Sequence, residues 1–298
     1  MRKNINILFD DEESLLIIGQ QVKNTEKGRS DLTAIDSNGN IVLIEIKRDM
    51  EDIISRKEPF EFQAIRYAAG YAKIKTIDEL VDKIFTSYID RYRKEFGLGE
   101  LTPAEKGRRI IEDFLKNNNA IRTINEKQRI ILIASSFDRQ MLSAVSWLIN
   151  NGVDISCFSL QPVKIGEQLF LDIQRILPPA RLEDNYIDIE ASSKTTTNIE
   201  NVDLPTKTYL PRMNKLFEWG IIKKGDEVII RNFEGSDAIV INEQKVKYKD
   251  RTMKFNAWGE KVTGWSSINI YSWAMIKGQS KTLDELRKEK LQELDNIN

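Results

Sequence analysis

Three charged residues stand where the surrounding pattern calls for apolar ones. In residues 28–47, GRSDLTAIDSNGNIVLIEIK, two strand-like apolar runs flank a Ser-Asn-Gly turn. Asp31 opens the first run, and Glu45 and Lys47 close the second. A half-buried hairpin has no structural use for Glu-Ile-Lys at its end, whereas a divalent-metal site does. Two carboxylates would hold Mg²⁺ (or Mn²⁺ in its place), a hard cation that prefers oxygen ligands and keeps several waters. The metal would polarise a phosphodiester and lower the pKa of the attacking water. Lys47 would orient that water or stabilise charge building on the phosphate.

Whether the three converge depends on register. Asn38-Gly39 is a strong hairpin signal, because glycine accepts positive φ. A two-residue loop would set Leu32 opposite Glu45 and turn Asp31 to the wrong face. A three-residue loop, Ser37-Asn38-Gly39, sets Asp36 opposite Asn40 and Asp31 opposite Glu45. Glu45 and Lys47 share a face in either case, since side chains alternate with period two. We favour the three-residue loop, which brings Asp31, Glu45 and Lys47 to one edge of one face.

Asp31…Glu45-Ile46-Lys47 resembles the PD-(D/E)xK nuclease signature in the branch that includes RecB-like and NucS-like nucleases. Ser30 stands where a proline is usual. The resemblance implies an α/β, restriction-endonuclease-like core with a mixed sheet flanked by helices, and Mg²⁺-dependent cleavage of DNA. Downstream, PFEFQAIRYAAGYAKI has Ala and aromatics at helical spacing, and Gln63 and Tyr67, four apart, lie on one face. In RecB-like relatives a Q-x-x-x-Y on this helix faces the active site. The resemblance therefore assigns Gln63 and Tyr67 to metal-water or phosphate contacts, with Arg66 beside them for a DNA phosphate.

At 298 residues the chain should hold two domains. Its net charge of −1 announces no nucleic-acid partner, but the distribution is uneven. Residues 207–280 carry thirteen Lys or Arg against eight Asp or Glu, whereas residues 1–206 carry −5. A modestly basic C-terminal unit is joined to an acidic one. The single cysteine, Cys157, excludes internal disulfides and cysteine-rich zinc sites. The absence of histidine eliminates Ser-His-Asp triads and histidine-based acid–base catalysis. No signal peptide or membrane span is visible, so a cytoplasmic protein is expected.

FDDEESLLII, residues 9–18, suggests a short helix with an acidic first turn; Glu12 or Glu13 there is either a dipole partner or a further metal ligand. Residues 76–118 read as helices inserted into the nuclease core, with Thr76 or Asp78 near one start, Gly97 after its end, and Thr102-Pro103 opening the next. RIILIAS and DISCFSL read as buried strands on either side of a helix over residues 137–152, and residues 166–177 as one more strand. Trp147 and Phe158 read as core. Residues 191–206 read as a linker, which places a nuclease domain at 1–190 and a small α+β domain at 207–298.

In the C-terminal unit Trp258, Trp265, Tyr271 and Trp273 lie within sixteen residues. Beside Ser266, Ser267 and Asn269 they would either build a pocket that stacks a base and reads its edge or be the core of a small domain. Residues 209–287 resemble the RAMA domain, found beside restriction and methylation enzymes, with Phe255-Asn256 and Ile270 departing from its pattern. That resemblance implies recognition of modified DNA, for which the pocket reading offers Trp258, Trp265, Ser266, Asn269, Tyr271 and Trp273. The combination points to a modification-dependent defence endonuclease, with a homodimer as the default because a paired cut needs two sites. A structure-specific repair nuclease whose C-terminal domain only anchors DNA is the first alternative. A catalytically inactive DNA-binding subunit is the second.

Overall fold

The computed structural model describes residues 1–9, 11–24, 28–47, 59–178 and 210–295; the expected linker, 191–206, lies outside them. The chain divides into two compact units, Ile17–Thr206 and a smaller one formed by Met1–Leu16 together with Lys207–Asn298. The first sixteen residues therefore do not belong with the domain expected over 1–190.

The larger unit is α/β. Its six-stranded mixed sheet has the order β1 (Leu15–Lys23), β2 (Arg29–Asp36), β3 (Ile41–Ile46), β4 (Gln128–Ala134), β5 (Asp154–Ile165) and β6 (Gln168–Leu177). β3, β4 and β5 run parallel, and β2 and β6 pair antiparallel at either side. Ile130 to Ala134 and Val42 to Ile44 are buried without interruption, as parallel strands covered on both faces require. The helix expected over residues 9–18 is absent: Asp11 sits at φ +68, and the Leu15–Ile18 run is strand. An acidic stretch imitates a helix start, but a left-handed residue cannot begin one and β-branched apolar residues fit a pleated sheet.

Helix α1 (Phe60–Tyr71) lies against β3 and β4 and buries Phe60, Ala64, Ala68 and Tyr71. The expected insertion is helical: α2 (Ile77–Leu80), a π-helical turn over Val81–Phe85, α3 (Thr86–Arg91), α4 (Arg93–Phe96) and α5 (Pro103–Asn117). Thr76 caps α2, and Thr102 with Glu105 forms a reciprocal capping box before Pro103. Helix α6 (Arg139–Asn150) starts at Asp138, whose carboxylate accepts the Met141 N–H. It buries Met141, Val145 and Ile149 and leaves Trp147 58 % exposed, so Trp147 is not core; Phe158 is. β5 continues five residues past the expected end. Pro162 is tolerated because β4 stops at Ala134, opposite Ser159, so no neighbour there needs its N–H.

The smaller unit holds an antiparallel sheet flanked by helices. Its elements are α7 (Met213–Glu218), β7 (Glu227–Ile230), β8 (Ala238–Asn242), β9 (Lys245–Tyr248), β10 (Arg251–Lys254), α8 (Phe255–Thr263), α9 (Ile270–Trp273), β11 (Ala274–Ile276) and α10 (Leu283–Asp295). The strand order is β10-β9-β8-β7-β11. One sheet face supplies Val228, Ile230, Ala238, Val240, Val246 and Tyr248 to a core shared with Trp258, Leu216 and Ile270. The N-terminal segment adds Ile5, Leu8 and Leu15, all buried, and Ser266 and Ser267 both donate backbone N–H groups to Leu15. Glu12 is not free for a metal. Arg287, fully buried, donates from Nη1 and Nη2 to its two oxygens at 2.8 and 2.9 Å, and Arg212 donates to one of them at 3.1 Å. Asp284 completes the cluster at 2.6 Å, with the guanidinium 4.0 Å from the Tyr271 ring centroid.

Candidate active site

The β2–β3 hairpin adopts the three-residue loop. Leu32 pairs with Ile44, Thr33 with Leu43, Ala34 with Val42 and Ile35 with Ile41; one step further sets Asp31 opposite Glu45. Asp36 and Asn40 close the loop, the Gly39 N–H bonds to the Asp36 carbonyl, and Asp36 Oδ1 accepts from Asn38 and Asn40. Gly39 takes φ +84, and a Cβ there would stand 3.1 Å from the Ala120 carbonyl oxygen. Glycine is needed for both its dihedral and its lack of bulk.

Asp31, half-buried, is held at both oxygens. Oδ2 accepts the Ile46 N–H at 2.8 Å, and Oδ1 accepts from Gln21 Nε2 at 2.9 Å. Each oxygen keeps a further lone pair for a ligand. Glu45 is 1 % and Lys47 4 % exposed. Parallel pairing continues one residue past β3, where the Lys47 N–H bonds to Ile133 O at 2.8 Å, so Lys47 keeps strand geometry and points to the same face as Glu45.

Helix α1 supplies the second wall. Lys47 Nζ donates to Gln63 Oε1 at 3.3 Å and lies 5.0 Å from the Phe60 ring centroid. Gln63 Nε2 donates to Tyr67 Oη at 3.2 Å, which also accepts the Arg29 N–H at 3.0 Å. Gln63 and Tyr67 thus form a hydrogen-bonded chain that ends on the lysine ammonium. Gly28 lets the tyrosine in, since a Cβ there would fall 2.6 Å from its ring and hydroxyl. Arg66 lies exposed on the helix.

The sequence did not single out Gln21, Tyr71 or Glu61. Tyr71 continues the Gln63-Tyr67 spacing by four, a signal that was there to be used. Its hydroxyl bridges Ser30 Oγ (2.7 Å) and Thr33 Oγ1 (2.8 Å). Burial raises its pKa above the usual phenol range; the two hydroxyls oppose the shift and the Glu45 charge adds to it. Glu61, also buried, has its carboxyl pKa raised by burial and by the Asp138 charge, against a backbone hydrogen bond that lowers it. Burial, with the charge of Glu61, pushes the Cys157 thiol up as well, so Cys157 is inert core.

Among the described residues no group of three or more His, Cys, Asp or Glu is placed to hold a metal. The site offers two adjacent carboxylates, a donor set that suits a hard cation retaining most of its waters.

In the smaller unit the proposed base-reading set is largely interior. Trp258 is fully buried and donates its indole N–H to Ser236 O at 2.9 Å. Trp265 and Trp273 are 7 % and 3 % exposed and meet edge to face at 4.9 Å between centroids, with Phe233 against both. Tyr271 is buried with its hydroxyl on the Met213 N–H. Asn269 caps α9 through the Ser272 N–H and donates to Glu12 O. Ser266 is half-buried and gives its N–H to Leu15. These four large aromatics are part of the core of the smaller unit, together with Leu216, Val228, Ile230, Val240, Val246 and Ile270.

Comparison of the chain with protein-family models, with curated proteins and with solved structures finds no match.

Proposed function

We propose that this chain is a Mg²⁺-dependent DNA endonuclease with a restriction-endonuclease-like catalytic core. The observation that carries the reading is the β2–β3 register, which sets Asp31 opposite Glu45 with Lys47 two residues on and hydrogen-bonded to Gln63. Asp31 and Glu45 would hold the cation, Mg²⁺ or Mn²⁺, which supplies charge neutralisation at the phosphate and a water of lowered pKa. Asp31 is kept in place by Gln21 and the Ile46 N–H. Lys47, steered by Gln63 and Tyr67 and backed by Phe60, presents its ammonium to charge developing on the phosphate oxygens. Glu45 and Lys47 lie deep, so substrate reaches the site from the half-buried side formed by Asp31, Gln63 and Tyr67. A paired cut in duplex DNA calls for a homodimer.

The fusion to a RAMA-like unit supports targeting to modified DNA in restriction or phage defence. Burial of Trp258, Trp265, Tyr271 and Trp273 favours a second reading, in which that unit anchors DNA and the nuclease chooses its substrate by structure. No helix among the described residues is long and apolar enough to cross a membrane.

The test is cleavage with Mg²⁺ or Mn²⁺ across methylated, hydroxymethylated, unmodified and branched DNA. Glu45→Ala and Lys47→Ala should each reduce cleavage by on the order of 10²–10³-fold or more while DNA binding persists. Wild-type activity in Lys47→Ala removes the assignment. Equal rates on modified and unmodified duplexes remove modification dependence and leave the anchoring reading.

A further inference from the structure

The solvent face of the smaller unit's sheet concentrates charge of one sign at one edge. β9 and β10 are joined by Lys249-Asp250, with Lys249 at φ +53, and pair Tyr248 with Arg251, Lys247 with Thr252, Val246 with Met253 and Lys245 with Lys254. Val246 and Tyr248 face the core, so Lys245, Lys247, Thr252 and Lys254 share the outer face, all exposed. Residues 245–254 hold five cations and one acid. Lys245 and Lys254 lie directly across from each other, a like-charge pair that destabilises a hairpin. None of Lys245, Lys247, Lys249, Arg251 and Lys254 makes an ion pair among the described residues. Other lysines of this unit do: Lys215 with Glu218, Lys277 with both Glu227 and Asp237, and Lys281 with Glu289. A set of cations that opposes itself and draws on no internal anion is completed by an anion from outside.

We propose that the β9–β10 ribbon is the surface by which this unit grips the phosphate backbone of DNA. The inference rests on the reading of DNA as the substrate and moves the contact from the buried tryptophans to the lysine face. Alternate strand residues are about 6.6–6.8 Å apart on one face, so Lys245 and Lys247 present two neighbouring cations, each free to neutralise a phosphate of the DNA backbone. Anionic membranes, the competing partner, recruit basic residues beside inserted Trp, Phe or Leu. The only large apolar side chains that the smaller unit exposes among the described residues are Ile7 and Ile239.

The experiment measures binding of the full chain to a fluorescent DNA duplex across a KCl series, in EDTA so that no strand is cut. Lys245→Ala/Lys247→Ala/Lys254→Ala should flatten the log K against log[salt] slope by about 2–3, at roughly 0.9 per phosphate contact. If affinities converge near 1 M salt, that is about 100-fold weaker binding at 0.15 M. Lys215→Ala/Lys281→Ala, which removes paired lysines, should leave the slope within about 0.5. Should the triple variant fold poorly, Lys247→Ala alone should still lower the slope by about 0.9. A wild-type slope in the lysine variants overturns the assignment. So does binding to phosphatidylserine vesicles that the triple variant loses while its DNA affinity is unchanged. Salt-dependent binding by a wild-type chain that never cleaves would remove the nuclease reading and leave the ribbon standing; cleavage with an unaltered slope in the variants would do the reverse.

Discussion

Two hairpins of this chain place charge oppositely on the same alternating framework. In β9–β10 the lysines occupy the outward positions, and Val246 and Tyr248 the inward ones, as amphipathic pairing requires. In β3, which is buried on both faces, the apolar run is interrupted: Glu45 and Lys47 lie inside, nearly inaccessible. The outward charges are tolerated by any folded domain, and their meaning lies in their number and common sign. The inward charges cost desolvation at each position, so a single one calls for an explanation. A charge that breaks the pattern is strong evidence residue by residue; a charge that obeys it is evidence only in aggregate.

That contrast can be broken. If Glu45 holds the cation, as proposed, Glu45→Gln should abolish cleavage, by on the order of 10³-fold, while leaving the melting temperature unchanged or raised, because it removes a buried charge. A drop in melting temperature with activity intact would make Glu45 a structural residue. Tyr67→Phe removes the acceptor for Gln63 and Arg29 and should slow cleavage by about 10–100-fold, the range for groups that orient a working side chain, with substrate affinity unchanged; a change confined to affinity would place Tyr67 on DNA instead. Gly39→Ala should lower stability by about 1–2 kcal/mol through its positive φ, seen in urea melts, whereas Lys247→Ala should move it by no more than about 0.5 kcal/mol.

A further expected effect concerns pH. Burial, with the Asp11 charge adding to it and an Asn6 hydrogen bond opposing it, raises the Glu260 carboxyl from 4.5 to about 7. A raised carboxyl favours folding while protonated, so this contribution is present below pH 4.5 and lost as pH rises through about 7. Glu260→Gln should gain on the wild type across that interval in melting temperature; parallel curves would rule the contribution out.

The candidate site was legible because a hairpin obeys counting rules. Gly39 announced the loop, the loop set the register, and the register brought Asp31 to Glu45. Gln63 and Tyr67 were visible as a spacing of four, although the bond from Lys47 to Gln63 was not. Trp147 was legible and misjudged: Met141, Val145 and Ile149 already mark the buried face of α6, and Trp147 falls on the other. The tryptophans of the smaller unit were harder, since composition alone does not distinguish an aromatic pocket from an aromatic core. Glu12 was not legible at all, because its partner Arg287 is 275 residues away and no local pattern reports a pairing at that separation.

The split origin of the smaller unit has a consequence for how the protein is made. Ile5, Leu8 and Leu15 are core residues whose partners begin only at Lys207. Ribosomes add about 5–20 residues per second, so roughly 10–40 s of synthesis separates the two halves of that core. Throughout it Ile5, Leu8 and Leu15 are synthesised well ahead of the residues they pack with. The intervening unit can finish folding first, and the smaller unit's core closes only as its later residues emerge. Chaperone occupancy on the nascent chain should peak over residues 5–15 and clear once those later residues leave the exit tunnel.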